Sequence, residues 1–437
     1  MIQKKNYTVP FIIITTLFFL WGFITVLVDS LVPRLKDVFE LSYFQAGMVQ
    51  SAFFAAYFVF SIPAGSLLSR IGYKNGIFIG LLTMAAGCFL FYPASSVRSF
   101  PIFLIGYFTL AAGITILQVA ANPYVAVLGS EDGASSRLNL SQAFNSLGAA
   151  IAPAFGAAYL LSDKILTSSE IDNLSDKAQE DYYLSEAMAV QDPFLIFGGV
   201  LAVLGLIFLF LKLPVIQKST SGGYLQILKN PKVLKGALGI FVYVGAEVAI
   251  GSYLVNYFIS LDLAEIIQSS SFLSSIATSQ VGDDLSAIDN KGIVGAFVFF
   301  YWSSAMVGRF LGSALMRFFA PFKVLLLFTI AAIILINISI LNIGALAMFT
   351  ILSVGLCNSI MFPTVFTLTL DGLGNSKPQA SGIMCTAIVG GAIIPVAFGK
   401  LADTYGFAIA FVLPMLCYLY IAYFALKSKK REQLASS

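Results

Sequence analysis

Long apolar segments constrain this chain more than any other feature of its sequence. Only 11% of its 437 residues are charged, against about 25% in soluble domains. A helix needs about 20 apolar residues to cross a bilayer, whereas a barrel strand needs about 10 with alternating polarity. Roughly twelve runs meet the helical requirement: 9–34, 42–68, 75–96, 100–128, 138–162, 192–212, 233–261, 292–317, 322–341, 344–371, 378–402 and 407–427. The sequence therefore predicts an all-α protein of the lipid bilayer with twelve transmembrane helices.

Lysine and arginine predict the orientation of these spans. With twelve spans both termini share a side, and most of the 25 Lys and Arg residues fall on that side. The positive-inside rule then places both termini in the cytoplasm. The loop 163–191 is acidic, which fits an outward position. The net charge of +3 indicates no nucleic-acid partner.

Cysteine and histidine usage limits the possible chemistry. Cys88, Cys357, Cys385 and Cys417 all fall inside apolar spans, which predicts buried small hydrophobic side chains without metal-ligand spacing. Histidine is absent, and it is both the commonest metal ligand and the side chain that titrates near neutral pH. We expect no metal centre and no cofactor, and any proton chemistry must use carboxylates.

One short segment occurs twice, and its two copies lie six spans apart. GAAIAPAFG at 148–156 in the fifth span matches GGAIIPVAFG at 390–399 in the eleventh. The longest polar connection, 213–232, lies between the two copies. These features predict an N-terminal six-helix half (1–212), a cytoplasmic linker and a C-terminal six-helix half (233–437). Two parallel six-span halves are the architecture of the major facilitator superfamily.

Two carboxylates lie deep inside apolar spans, and each is near the start of one half. Asp29 is in the first span and Glu247 in the seventh. A charged side chain at the bilayer centre costs at least about 2.5 kcal/mol, so such residues usually mark an ion or substrate path. We interpret both as ion-coupling residues, with Na⁺ binding possible near Asp29. The alternative is a structural pair, and Arg309 in the eighth span is an available partner for Glu247.

Amide and indole side chains supply candidate sugar contacts. A sugar hydroxyl both donates and accepts, and amides offer both functions. The candidate substrate-binding residues are Gln118, Asn122, Gln142, Asn145, Asn256, Asn358, Trp21 and Trp302. The alternative for each amide is a hydrogen bond between helices. The alternative for each tryptophan is an interfacial anchor or ordinary packing.

Several motifs across almost the whole chain resemble one transporter family. They include FLWGF at 19–23, DSLVP at 29–33, ILQVAANPY at 116–124, RLNLSQAFNSLG at 137–148 and GAEVAIGSYLVNY at 245–257. These segments resemble the fucose–proton symporter family, and most closely its bacterial glucose/galactose transporter branch.

The resemblance assigns roles to individual positions. It implies that Asp29 takes part in proton coupling. The fucose pattern has a second acid where Gln118 stands, whereas the glucose/galactose branch resembles this chain in carrying glutamine there and an acid at Glu247. The fucose pattern also has an aromatic hydroxyl where Phe362 stands, which argues against recognition of fucose.

A further motif lies between the second and third spans. Residues 65–74 resemble the superfamily loop Gly-x-Leu-x-Asp-Arg-x-Gly-x-Lys/Arg, except that Ser69 replaces the aspartate. The aspartate normally helps to latch the cytoplasmic helix ends, so the latch here is expected to be weaker or to use other groups. The residues assigned to gating are Arg70, Lys74, Arg137 and Arg309. For Arg70 and Lys74 the alternative is a role in topology alone.

Together these features predict a symporter that imports a hexose such as D-glucose or D-galactose by alternating access, driven by H⁺ or Na⁺. The resemblance implies the bacterial cytoplasmic (inner) membrane, and we expect a monomer to function. Alternatives are another monosaccharide carrier such as an L-fucose/proton symporter, a drug efflux antiporter and a sugar sensor that does not transport. An enzyme is disfavoured because no nucleophile–base pair or phosphate-binding glycine loop is present.

Overall fold

A computed structural model describes the backbone of residues 7–38, 43–97, 99–159, 173–211, 213–214, 224–282, 285 and 288–435. Every regular element within these residues is a helix. In chain order the α-helices are α1 (Thr8–Val38), α2 (Tyr43–Ile71), α3 (Tyr73–Ser96), α4 (Phe100–Val127), α5 (Ala134–Tyr159), α6 (Asp176–Phe210), α7 (Tyr224–Leu228), α8 (Pro231–Ser260), α9 (Leu263–Ser269), α10 (Ser271–Val281), α11 (Asn290–Gly295), α12 (Val298–Leu315), α13 (Pro321–Leu341), α14 (Gly344–Asn358), α15 (Met361–Leu370), α16 (Lys377–Thr386), α17 (Gly390–Tyr405), α18 (Phe407–Ala410) and α19 (Val412–Ala435). Short 3₁₀ turns at Gly374–Ser376 and Ala387–Val389 flank α16.

Within the described residues, 11 helical segments are long and apolar enough to cross a membrane. The remaining predicted span is α5, whose 26 residues extend about 39 Å at 1.5 Å per residue. Its first half, ASSRLNLSQAFNS, is polar, and this composition lowers its hydropathy. The helical architecture agrees with the prediction of twelve transmembrane helices.

Helix α6 begins much earlier than its predicted span at 192–212. It starts at Asp176, inside the segment that was predicted to be an acidic loop. Ser175 caps this end, because its hydroxyl accepts a hydrogen bond from the amide of Ala178 at 3.4 Å. The predicted outward connection 163–191 therefore contains a helical stretch at 176–191. Hydropathy predicts only the apolar part of a helix that continues beyond it.

The tenth and eleventh predicted spans are interrupted helices. The tenth divides into α14 and α15 around Ser359 and Ile360, and the eleventh divides at the 3₁₀ turn Ala387–Val389. Interrupted spans expose backbone polar groups within the membrane region, and such groups need partners supplied by the protein.

The chain forms two compact units. Unit 1 comprises the described residues of Met1–Leu128, Phe144–Ile227 and Gly372–Thr386. Unit 2 comprises those of Gly129–Ala143, Leu228–Asp371 and Ala387–Ser437. Each unit thus contains one short segment of the other sequence half. The predicted division at 213–232 stays a prediction.

In unit 1, α3 packs against α4 and α6. Phe91 and Phe194 stack with ring centroids 3.9 Å apart in the centre of this contact. In unit 2, α8 packs against α17 and α13 packs against α14. All four cysteines are buried as predicted.

The duplicated glycine segment makes the same kind of contact in each unit. A Cβ atom at Gly148 would overlap the carbonyl oxygen of Phe19 in α1, and one at Gly390 would overlap that of Phe241 in α8. The fifth span thus lies against the first span as the eleventh lies against the seventh.

Candidate binding and coupling site

Glu247 lies near the middle of the 30-residue helix α8. Its carboxyl interacts electrostatically with the Arg309 guanidinium of α12 and with the phenol of Tyr243, one turn earlier on α8. Tyr243 is 1% exposed, and its hydroxyl lies beside the Glu247 carboxyl. This phenol and the carboxyl therefore form a polar pair that is suited to a bound cation or hydroxyl.

A buried tyrosine–asparagine–tyrosine chain supports the Glu247 turn. The hydroxyl of Tyr301 donates to the Glu247 backbone carbonyl at 3.2 Å. Asn358 Nδ2 donates to the Tyr301 hydroxyl at 2.7 Å, and Asn358 Oδ1 accepts from Tyr418 at 2.6 Å. Asn358, Tyr301 and Tyr418 are fully buried. Both polar atoms of the Asn358 amide are therefore used within the protein.

Arg309 connects three elements of unit 2. Its Nε donates to the carbonyl of Ser359 at 3.2 Å, and its Nη1 donates to the carbonyl of Gln142 at 3.4 Å. Gln142 is buried on α5. The guanidinium is thus held by backbone carbonyls within electrostatic range of the Glu247 carboxyl.

Trp302 lies beside this group. Its ring meets that of Tyr301 edge-on, with centroids 5.1 Å apart. A Cβ atom at Gly251, one turn beyond Glu247 on α8, would lie 2.7 Å from the Trp302 ring. Trp302 is 49% exposed. An indole face is therefore available within one turn of the candidate coupling acid.

A second polar group lies in unit 1. Gln118 on α4 donates from Nε2 to the hydroxyl of Tyr57 on α2 at 2.5 Å. Asn122 is fully buried one turn further along α4. Trp21 on α1 is 6% exposed and packs on Phe18 with centroids 5.4 Å apart. Gln118 and Asn122 were predicted to share one face of a helix, and both lie on α4.

Asn145 makes a contact between helices. Its Nδ2 donates to the backbone carbonyl of Phe18 on α1 at 2.9 Å. This bond corresponds to the alternative role of the amides as connections between helices.

Position 29 belongs to the backbone of α1, but the side chain of Asp29 lies outside the described residues. Its role in coupling stays a prediction.

Asn256 lies apart from Glu247. It is nine residues further along α8, which at 100° per residue places it on the opposite helix face. It is exposed and lines a cavity of about 250 Å³ together with Tyr253, Lys291 and Asp403. The structure therefore does not bring Asn256 together with the other unit 2 candidates.

Two of the predicted gating cations bind backbone carbonyls. Lys74 Nζ donates to Leu209 at 2.8 Å, and Arg137 Nη2 donates to Ser130 at 2.7 Å. Arg70 is exposed at the end of α2. Ser69, which replaces the motif aspartate, donates within its own helix to Ser66 at 2.7 Å. The Lys74 bond connects α3 to α6, and the Arg137 bond connects α5 to the α4–α5 connection.

Unit 2 instead contains a seam of neutral hydroxyls between α5 and the helices α12 and α15. Ser136 and Ser313 each donate to the other's backbone carbonyl, at 2.8 and 2.9 Å. The hydroxyls of Ser135 and Thr367 lie 2.6 Å apart. Asn139 adds a longer contact to Thr364 at 3.3 Å. We call these residues the hydroxyl seam.

In unit 1, α16 and the α7 segment both contact α2. The Tyr224 hydroxyl of α7 donates to the carbonyl of Ile62 at 2.6 Å. Burial raises the pKa of this phenol above its ordinary value, so it remains a donor at neutral pH. Cβ atoms at Gly65 or Gly382 would crowd the same hydroxyl. The linker thus contributes a specific polar contact to α2.

Replacing both serines of the reciprocal pair, Ser136→Ala with Ser313→Ala, should loosen the start of α5. Each buried hydrogen bond contributes about 1 kcal/mol, so we expect a loss of about 2 kcal/mol of local stability. Hydrogen–deuterium exchange of the peptide 134–143 in nanodiscs measures this as faster exchange.

Ser353→Ala is the matched control, because the exposed Ser353 hydroxyl bonds only within its own helix, to Phe349 at 2.7 Å. If peptide 134–143 exchanged at the same rate in the double variant and in this control, the hydroxyl seam would contribute no local stability.

Sequence reasoning missed several polar residues of the two groups. Tyr243 precedes Glu247 by four residues and so shares its helix face, and this spacing could have been noticed. Tyr57, Tyr301 and Tyr418 carry no such signal. They lie on other spans, and only packing brings them to Gln118 and Asn358.

The family model for the Major Facilitator Superfamily matches residues 10–395 of the chain. The chain belongs to the major facilitator superfamily. It is 44% identical to a glucose/galactose transporter of Brucella abortus, over 98% of this chain and 96% of the relative. It is 33% identical to an L-fucose-proton symporter of Escherichia coli, over 100% of this chain and 96% of the relative.

Solved structures agree with this assignment. A crystal structure of the E. coli fucose:proton symporter superposes with a TM-score of 0.85 at 32% identity, over 97% of this chain and 99% of the other. A proton:xylose symporter superposes with a TM-score of 0.65 at 14% identity, over 95% of this chain and 94% of the other. The second similarity concerns the fold alone. The predicted resemblance to the fucose–proton symporter family and its glucose/galactose branch is confirmed.

Proposed function

We propose that this protein imports a hexose such as D-glucose or D-galactose together with H⁺ or Na⁺ by alternating access. The observation that carries the proposal is the polar pair in the middle of α8, which consists of the Glu247 carboxyl and the buried Tyr243 phenol one turn earlier on the same helix. Ionisable residues within membrane spans are costly and mark ion or substrate paths. The named relatives support hexose as the substrate class.

Coupling in this proposal depends on two carboxyls. Glu247 binds the cation or a sugar hydroxyl in unit 2, and Asp29 binds the coupling cation from α1. Carboxylates accommodate either a proton or Na⁺. The name of the E. coli relative, a proton symporter, favours H⁺.

Sugar recognition uses amides and indoles in this proposal. Gln118 with Tyr57 offers both a donor and an acceptor, and the exposed face of Trp302 can stack on the apolar face of a sugar ring. Asn122, Gln142, Asn145, Asn256, Asn358 and Trp21 remain candidate sugar contacts. In the described state Asn145 and Asn358 bond within the protein, so a sugar would have to replace or extend those bonds.

The proposed setting is a bacterial cytoplasmic membrane, with both termini cytoplasmic and the monomer as the functional form. Lys74, Arg70, Arg137 and Arg309 remain candidate gating residues. The contacts of Lys74 with α6 and of Arg137 with the α4–α5 connection favour a role in holding helix ends together.

Counterflow in proteoliposomes tests the proposal. Vesicles are preloaded with D-glucose, and uptake of labelled glucose, galactose, mannose and fucose is followed with and without sodium. We expect counterflow of glucose or galactose, and a sodium requirement would name the cation. Absence of counterflow for every sugar would refute the hexose proposal and favour efflux or sensing.

Asp29→Asn tests the second acid. Asparagine cannot titrate or carry charge, so we expect loss of sugar accumulation with retention of exchange. Uptake against a gradient and counterflow in the same vesicles measure the two activities. Asp132→Asn is the control because Asp132 is exposed in the α4–α5 connection. Full accumulation by Asp29→Asn would contradict the assignment.

A further inference from the structure

Helix α16 comes from the C-terminal half of the sequence but packs in unit 1, against α2 and α4. Its crossing with α2 is close. A Cβ atom at Gly382 would lie 2.6 Å from the carbonyl oxygen of Ser61. A Cβ atom at Gly65 would lie 2.7 Å from that of Pro378. Backbone therefore lies directly against backbone where the two helices cross.

Tyr224 brings a side chain to this crossing from a third element, the linker helix α7. Its hydroxyl donates to the carbonyl of Ile62 on α2 at 2.6 Å. A Cβ atom at Gly382 would lie 3.0 Å from the same hydroxyl, and one at Gly65 would overlap it. The phenol thus occupies the space that the two glycines leave open.

The chain passes from unit 1 into unit 2 directly after this contact. Unit 1 includes the sequence up to Ile227, and unit 2 resumes at Leu228. Helix α16 likewise leads into unit 2 at Ala387. The Tyr224 hydroxyl therefore lies beside a crossing through which the chain leaves unit 1 along two routes, the linker and the eleventh span.

This contact is neutral. Ser69 stands where the superfamily motif has an acid, and its hydroxyl donates within its own helix to Ser66. The linker tyrosine instead joins α2 to another element, through a phenol and a backbone carbonyl. Because neither partner is charged, we expect the contact to be insensitive to salt, unlike an exposed ion pair.

We propose that Tyr224 holds the crossing of α2 and α16 closed and thereby sets how readily the carrier opens on the linker side. Tyr224 is then a positioning residue for transport, because it acts on helix packing and not on the sugar or the cation. The inference rests on the proposed alternating access, in which the sequence halves separate on one side at a time. Helices from different halves that cross must part when their side opens.

Tyr224→Phe tests this, because it removes the hydroxyl and keeps the ring. Cys385 on α16 is the reporter: it is fully buried, and its thiol lies within electrostatic range of the Tyr224 phenol. We expect N-ethylmaleimide to label Cys385 about fivefold faster in the variant, the change in an equilibrium that one net hydrogen bond produces. Labelling is done in nanodiscs without sugar and measured by peptide mass spectrometry.

Tyr420→Phe is the matched control. The Tyr420 hydroxyl also donates to a backbone carbonyl, that of Lys235 at 2.9 Å, but it joins α19 to α8 within unit 2. Labelling of Cys385 should therefore stay at the wild-type rate. Cys88, which is fully buried on α3 in unit 1, is the internal standard. A merely structural loss of stability would raise the labelling of Cys88 together with that of Cys385.

Faster labelling of Cys385 alone supports the inference. Labelling of Cys385 at the wild-type rate, or equal increases at Cys385 and Cys88, overturns it. The labelling needs no sugar. A wild-type chain without counterflow of any hexose would therefore refute the proposed function, and the labelling rates would still decide the role of Tyr224.

Discussion

Glu247→Gln should abolish sugar accumulation while leaving sugar exchange in place. Glutamine keeps the shape and hydrogen-bonding capacity of the side chain but cannot carry the charge that binds a cation. One cation crossing 100 mV contributes about 2.3 kcal/mol, equivalent to a sugar gradient of about 50-fold. We expect the variant to lose this gradient entirely. Uptake of labelled sugar under an imposed gradient measures it, and counterflow measures exchange.

Glu265→Gln is the matched control for this experiment. Glu265 lies on α9, where its side chain is exposed, so the same chemical change there should preserve accumulation. If Glu247→Gln instead lost counterflow as well and raised the sugar concentration for half-maximal exchange, Glu247 would bind sugar. Unchanged accumulation would exclude both roles and leave Glu247 as a structural partner.

The second large effect is expected from valine at either repeated glycine. Gly390→Val would force a side chain against the Phe241 carbonyl of α8, and Gly148→Val against the Phe19 carbonyl of α1. Overpacking costs about 1–3 kcal/mol, and more where backbone must move. We expect each variant to lose about 3 kcal/mol of stability. The apparent Tm in detergent, measured by size-exclusion chromatography after heating, tests this.

Gly199→Val provides the comparison, because a Cβ atom at Gly199 would meet no atom within 4 Å. The three variants add the same side chain to a transmembrane glycine. If Gly148→Val and Gly390→Val had the same Tm as Gly199→Val, the contacts of Gly148 with α1 and of Gly390 with α8 would not be tightly packed.

The glycine contacts illustrate what could be predicted from the sequence. The recurrence of Gly148 and Gly390 at one phase of a repeated segment predicted equivalent roles, and both glycines do contact a carbonyl of the preceding matched span. The number and type of the spans also followed from apolar runs, because hydrocarbon requires every backbone polar group to bond within a helix. These are local properties of consecutive residues.

The helix boundaries were less predictable. Helix α6 begins at Asp176, directly after the Ser175 cap, although hydropathy indicates only the apolar part of this helix. The interruptions at Ser359–Ile360 and at Ala387–Val389 gave no signal beyond nearby glycine and proline. A change in helix continuity depends on backbone hydrogen bonds, and hydropathy does not report them.

The residues of the candidate site also include some that the sequence could predict and others that it could not. Apolar surroundings identified Glu247 as a candidate functional acid, and helical spacing could also have identified Tyr243. The partners of Asn358 could not be predicted, because Tyr301 and Tyr418 are 57 and 60 residues away along the chain. Likewise, the sequence predicted six amides for sugar binding, whereas packing engages Asn145 with α1. The position of Asn256 opposite Glu247 follows from their nine-residue spacing on one helix and could have been predicted. The local sequence determines which residues belong to a membrane helix. Only the packing of distant helices determines which polar atoms meet, because a contact between helices produces no periodic pattern in a single sequence.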